Sequence, residues 1–324
     1  MLFSISRDLG MTSEGGGAVA FPVMTLAFRI TPSVARDFSM AIQACGMSAA
    51  SATILLMHVR VSTHALIISS LGGALGMVFG LEVIDPLLTA PQKKMGFVSI
   101  WISFAVVLFI LNRTHKRVTF DRIMDFSLWK GLVLFVAGVL GGIFTSFSGS
   151  GLDICTFSFL TVLFRVSEKV ATPTSVILMA GNSIFGVYWR SAMMGGLDPE
   201  AWRYLIVCIP IVVIGAPLGA FIGSHLHRQV LAGLIYILDA VALVSAFVIV
   251  PQTPALLVLS IVTICAGLAF FVALSYLGSK LLERQVNDAL RSSSLESIDI
   301  EASSFYKNNY DSTEDNLLTN NSGI

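Results

Sequence analysis

The residues of this 324-residue sequence best placed to do chemistry are Ser146, Ser148, Ser150, Asp153, Cys155 and Thr156, gathered around Gly149 and Gly151. Long apolar runs flank them, and polar groups among such runs are costly enough to ask for a reason. Glycine lets the backbone unwind. The freed N–H groups and the N-terminus of the following short helix then converge on one place. That convergence suits an anion, because the dipole end is positive and hydroxyls donate hydrogen bonds. An earlier run, Gly15, Gly16 and Gly17, offers the same feature, with Pro22 a turn later. The bland alternative is that these glycines only permit tight helix packing, as small residues do in membranes. Substrate binding is favoured because the motif occurs twice and interrupts a helix each time.

A second set opens or lines the helices after the breaks: Thr172, Pro173, Thr174, Ser175, Asn182 and Tyr188, matched earlier by Arg36, Asp37, Ser39 and Gln43. Ser175 and Asn182 join the substrate-binding candidates, although Asn182 serves equally well as glue between helices. Arg36, beside Asp37 at a helix start, reads as half of a local ion pair or as a solvated interfacial charge. Asp239 lies in YILDAVALV with no charged residue within ten positions on either side. A lone carboxylate in such a span is either a proton carrier or a hydrogen-bonded structural group, so Asp239 and Asp153 are the proton-coupling candidates. His225 and His227, with Arg228, read as a short interfacial loop.

No catalytic arrangement emerges. There is no Ser/His/Asp spacing, no Walker loop and no His-Glu-x-x-His, and Gly149-Ser150-Gly151 lacks the strand a nucleophile elbow requires. Cys45, Cys155, Cys208 and Cys265 stand apart, without Cys-x-x-Cys spacing or a His/Cys cluster. They read as small buried hydrophobes, and no metal or cofactor is expected. The expectation is a transporter, not an enzyme.

The elements that must position these residues are helices in lipid. Hydrophobic residues make up 55% of the chain and charged ones 12%, with a mean hydropathy of +0.82. Soluble domains carry about 25% charged residues. The net charge is zero, which gives no electrostatic case for nucleic acid. A helix of about 20 apolar residues spans a bilayer. Eight stretches qualify: 36–58, 64–84, 95–112, 130–147, 171–194, 205–223, 229–250 and 254–278. Two shorter runs, 15–28 and 152–164, read as half-helices or re-entrant segments. The predicted fold is therefore an all-α polytopic membrane protein. The start of the chain lacks the basic n-region of a signal peptide.

Both short runs follow glycines, and a shift of 136 residues aligns 15–44 with 151–180 at nine of thirty positions, among them Phe21/Phe157, Thr25/Thr161, Arg29/Arg165 and Ser39/Ser175. A shift of 143 pairs LGGALGMVFG (71–80) with IGAPLGAFIG (214–223). Two pseudo-symmetric repeats are expected, and duplicated halves with broken helices are the usual build of secondary transporters. The helix that should precede Gly15 reads as short or missing. The predicted organisation is a short segment 1–14, repeat one over 15–112, a basic loop 113–129, repeat two over 130–250, a final helix 251–278 and a disordered polar tail 279–324. Ser292–Ser294 are candidate phosphosites and Glu314–Leu318 faintly resembles a dileucine signal.

Basic residues sort the loops into two sets. Twelve fall with Arg60, the 113–130 region, Arg165, Lys169, Arg228 and the tail; six fall with Arg29, Arg36, Lys93, Lys94, Arg190 and Arg203. Cytosolic loops carry the excess. The C-terminus is therefore expected in the cytosol and the repeats inverted, with a parallel arrangement left open if the short segments only dip into the membrane.

The glycine break followed by proline (GGGAVAFPVM), the basic loop, the Ser/Ala-rich helix and the degenerate second copy SGSGLDICTF resemble the sulfite exporter TauE/SafE family of membrane permeases. The resemblance covers about residues 10–278, and the two segments FPVMTLAFRITPSVARDFSM and GGIFTSFSGSGLDICTFSFLTVLFRVSEKVATPTSV are similar to eukaryotic members. It implies movement of small sulfur anions such as sulfite or organosulfonates. The short N-terminus departs from the family pattern. The alternatives are a permease for another small organic acid, coupled to protons or a cation, and a membrane scaffold without transport. Expected partners are the anion, protons and lipid. The sequence says nothing of oligomeric state.

Overall fold

The computed structural model describes residues 20–113, 119–123, 126–225, 228–251 and 253–284. Ten helices are present among them. The first, α1, covers 20–27, and α2 is Pro32–Leu56. Next come α3, Thr63–Leu87, and α4, Ala90–Arg113. Leu128–Ser148 forms α5, and Leu152–Leu163 forms α6. Then follow α7, Glu168–Ala192, and α8, Pro199–His225. Arg228–Ile249 is α9, and Pro254–Arg284 is α10. Six of them, α2, α3, α5, α7, α8 and α10, are long and apolar enough among the described residues to cross a membrane. The last helix runs six residues past the expected end of the final span at 278. The glycine run 15–17 and most of the tail lie outside the described residues.

Burial is distributed as lipid requires. On α3, Ile67, Leu71, Leu75 and Phe79 are each more than half exposed, while Ser146, Ser148, Ser150, Asp153 and Thr156 are fully buried. In water this would expose a long apolar stripe; in lipid the stripe is solvated and the polar groups are shielded. By contact the chain forms one unit through Ser275 and another from Tyr276. In the second, Lys280 Nζ stands 4.7 Å over the Tyr276 ring.

The local structure of 20–56 recurs at 156–192. A π turn at Val23–Ala27 is repeated at Phe159–Leu163. After each, an arginine takes a left-handed backbone, Arg29 at φ 56° and Arg165 at φ 55°. Side chains disfavour that region, so the reversal is held by hydrogen bonds. The Ile30 N–H donates to the Met24 carbonyl and the Val166 N–H to the Leu160 carbonyl, both at 2.9 Å. An extended Thr31 or Ser167 then starts a 25-residue helix, α2 or α7.

Those two long helices pack antiparallel. Asp37 of α2 pairs with Arg190 of α7, Ser183 donates to Gln43, and Met47 and Ile54 cluster with Val176 and Met179. Their partners run parallel to them. Gly46 of α2 faces Val212 and Ala216 of α8, while Gly186 of α7 faces Met77 of α3. The closest packing is between α3 and α5, also parallel. A Cβ on Gly76 would meet the Val139 carbonyl, and one on Gly142 the Gly73 carbonyl. The Ser69 hydroxyl donates to the Leu134 carbonyl at 3.1 Å. Small residues at these positions let the backbones approach where no apolar driving force exists between helices.

At one end of the bundle, Phe120 is clamped to the turn before α7: its N–H donates to the Arg165 carbonyl, and the Ser167 N–H donates back, each at 2.8 Å. Arg60 pairs with Asp121 at the same end. This is the loop end; the break lies toward the other.

Candidate functional site

Helix α5 stops at Gly149 because the backbone turns left-handed there, φ 82°, a conformation that glycine adopts without cost. The Gly149 N–H closes the last turn on the Thr145 carbonyl at 2.7 Å. The chain then doubles back. The Leu152 N–H donates to Thr145 Oγ1 at 3.1 Å, and the Leu152 and Cys155 side of α6 lies against Gly141. Helices α5 and α6 thus form an antiparallel hairpin with its tip at 149–151. The Ser148 hydroxyl braces the tip, donating to the Phe144 carbonyl at 2.7 Å and lying 2.6 Å from the Ser150 carbonyl.

The tip rests on α2. A Cβ built on Gly149 would stand 2.7 Å from Ser39 Cβ and 2.8 Å from the Arg36 carbonyl oxygen. Ser39, singled out in the sequence only as a match to Ser175, is therefore a neighbour of the break. Gly151 is tightly packed: a Cβ there would strike Phe144 and Thr145 of the preceding helix.

Asp153 sits in the first turn of α6, fully buried. Its Oδ1 accepts from Ser150 Oγ at 3.4 Å, and its Oδ2 has no hydrogen-bonding partner. Three more buried atoms nearby lack partners: Ser39 Oγ, Thr156 Oγ1 and Asn182 Oδ1. Asn182 donates through Nδ2 to the Leu178 carbonyl, and its Oδ1 and the Leu152 side chain crowd the same face of Gly73. Asn182 is thereby at the foot of the break. Ser175 lies two turns away on α7, with its hydroxyl bonded to the Thr172 carbonyl at 2.8 Å. Thr174 accepts from the Ser62 N–H at the loop end. Tyr188 is exposed. Pro22 is buried in α1, ahead of the π turn. Gly15, Gly16 and Gly17 lie outside the described residues, as does the side chain of Asp239, which falls on α9. His225 ends α8, and His227 is outside the described residues.

Of the two readings of Arg36, the local ion pair with Asp37 is the one found, and it is part of a larger network. The Arg36 guanidinium donates to Asp37 at 2.8 and 3.0 Å and also pairs with Asp85 of α3. Lys93 of α4 reaches Asp85 at 2.7 Å. Asp37, fully buried, further accepts from Arg190 of α7 at 2.9 Å and from the Asp198 N–H at 3.1 Å. One network thus ties α2, α3, α4, α7 and the turn before α8 directly above the break. Its members are scattered over about 160 positions of sequence, and no spacing rule joins them. Among the described residues no group of His, Cys, Asp and Glu has metal-binding geometry.

The family model for the sulfite exporter TauE/SafE matches residues 9–246 and, in a second overlapping stretch, residues 134–282. No curated protein and no solved structure matches. The family's proteins are membrane transporters of sulfur anions, in keeping with the six candidate spans and the apolar exterior. Covering nearly all the described helices, the match establishes that this chain belongs to the TauE/SafE sulfite exporter family of multi-pass membrane transporters.

Proposed function

We propose that this protein is a secondary transporter for sulfite or an organosulfonate, built from two inverted repeats with eight long helices, and that the anion passes the tip of the α5–α6 hairpin. The observation that carries the reading is the meeting at Gly149: a broken helix from the second half lies against Ser39 of the first, and the buried hydroxyls of Ser39 and Thr156 lack partners. A helix break between halves that rock against each other is where secondary transporters hold substrates. The antiparallel packing of α2 on α7 supports inversion. A re-entrant hairpin returns to its own side, so it leaves three crossings, α7, α8 and α9, in the second repeat. With Arg60, the 119–123 segment and Arg165 sharing the loop end, and basic residues in excess there, the C-terminus belongs in the cytosol. A C-terminal tag should survive protease added to sealed right-side-out cells; its cleavage would overturn that orientation.

The main test is flux. Purified protein in liposomes is presented with sulfite, methanesulfonate, sulfate and a carboxylate of similar size. The sulfur anions should enter, with the carboxylate slower. Gly149→Val, which forces a side chain onto Ser39 and into a left-handed backbone, should abolish entry while the protein remains membrane-inserted. Entry of none of them would leave a scaffold as the better description.

A further inference from the structure

Most hydroxyls around the break are bonded within the hairpin, that of Ser150 to Asp153 Oδ1. Those of Thr145, Ser146, Ser148, Ser158 and Thr161 each donate to a helix carbonyl three or four residues back. Those of Ser39 and Thr156 do not, although both side chains are fully buried. Helical geometry does not prevent the bond: Ser175, 136 residues after Ser39 in the same local structure, makes it. Two acceptors are likewise unmatched, Asp153 Oδ2 and Asn182 Oδ1. Buried polar atoms in native proteins nearly always have partners, and leaving one without costs about 1–3 kcal/mol. These four, two donors and two acceptors, lie on the broken helix and on the two helices packed against it, α2 and α7, which suits a ligand carrying both acceptor oxygens and a proton.

Charge leads to the same ligand. Asp153 is an acid in a place that otherwise suits an anion. The cations nearest the break are held elsewhere: Arg36 and Arg190 by Asp37, Lys93 by Asp85. Lys94 of α4 donates to the Thr25 carbonyl, and Lys130 of α5 stands over Trp129 at the far end of its helix. The other titratable groups on the packed elements are Cys45 on α2, His64, Glu82 and Asp85 on α3, Glu168, Lys169 and Tyr188 on α7, and Cys155 on α6 itself. An ionised carboxylate and an anion in one low-dielectric shell repel strongly unless a proton lies between them.

We propose that the break takes its anion together with one proton, with Ser39 and Thr156 donating to the anion's oxygens and Asp153 Oδ2 holding the proton. This rests on the transport reading above and adds the coupling ion and its seat. The only bond made and broken is O–H. The proton comes from water on the entry side, is shared between Asp153 and the anion, and returns to water on the exit side, so each anion crosses with one negative charge fewer. Asn182 Oδ1 accepts from the ligand when the ligand itself bears the proton.

The test uses the full chain in liposomes holding a pH-sensitive dye. Methanesulfonate is the probe, because it stays a monoanion across the working range. Wild type should acidify the lumen as methanesulfonate enters, and faster entry should follow external acidification. Asp153→Asn should abolish the acidification. Ser39→Ala and Thr156→Val should each raise KM about tenfold with little change in maximal rate. Ser158→Ala, whose hydroxyl is bonded to the Ile154 carbonyl, should leave KM alone. Methanesulfonate entry by wild type without acidification would overturn the proposal while leaving transport intact. So would an Asp153→Asn protein that still acidifies, or a Ser39→Ala KM equal to that of Ser158→Ala. No entry of any sulfur anion would overturn the transport reading and this one with it. The wild-type measurement decides even if Asp153→Asn fails to fold.

Discussion

Helices α2 and α7 have one backbone and two chemistries. Each is 25 residues long, follows a π turn and a left-handed arginine, and packs on the other in antiparallel fashion. Yet where α2 opens with Arg36 and Asp37, α7 carries Thr172 and Pro173. The α2 opening is closed by five charged side chains from four helices. The α7 opening is held by a hydroxyl, Thr174, taking the Ser62 N–H at 2.9 Å, and by an exposed Arg60–Asp121 pair. Backbone hydrogen bonds and small-residue packing suffice to build the frame twice. What differs is the strength of the tie at each end, and a duplicated frame becomes a directional device only through such differences.

The largest effect expected from breaking this contrast is at Asp37. Asp37→Ala leaves Arg36 and Arg190 buried without their shared acceptor, which costs about 3–5 kcal/mol. A steep drop in the thermal denaturation midpoint in detergent is the expected outcome; an unchanged midpoint would mean the network contributes nothing. Next is the α3–α5 contact, which the frame needs at both ends. Gly142→Val drives a side chain into the Gly73 carbonyl and should cost about 1–3 kcal/mol or more, read by the same melt. The sharpest comparison is between equivalent serines. Ser175→Ala removes a satisfied hydrogen bond and should cost about 1 kcal/mol. Ser39→Ala removes an unsatisfied buried hydroxyl and should be neutral or slightly stabilising. Equal losses at both positions would erase the distinction drawn between them. The smallest effect is at Arg60, where both partners are largely exposed, 80% and 68%: Arg60→Ala should change stability by less than about 0.5 kcal/mol.

Much of the frame was legible because it depends on local sequence. Apolar length gave helices to within a few residues, since a span in lipid must be about twenty apolar residues long whatever it packs against. The break at Gly149 was legible because the left-handed turn there favours a residue type that can be seen in the sequence. The limits of this reading show at Arg36, whose pair with Asp37 is legible but whose network through Asp85, Lys93 and Arg190 no spacing singles out, and at Gly151, whose close contact with Phe144 the order of residues does not show.

The sequence by itself determined a bundle of membrane helices, a glycine break at 149–151 and a spacing of 136 residues between like segments, because hydropathy, glycine and identity are properties of the chain taken in order. Only the tertiary structure decided which polar groups face which. It set Ser39 against Gly149, left its hydroxyl unpaired while Ser175 was satisfied, and gathered Asp37, Asp85, Lys93 and Arg190 above the break. Hydrogen bonds and ion pairs act over about 3 Å of space, whatever the distance along the chain. In a bundle of long helices, that space is set by how the helices cross.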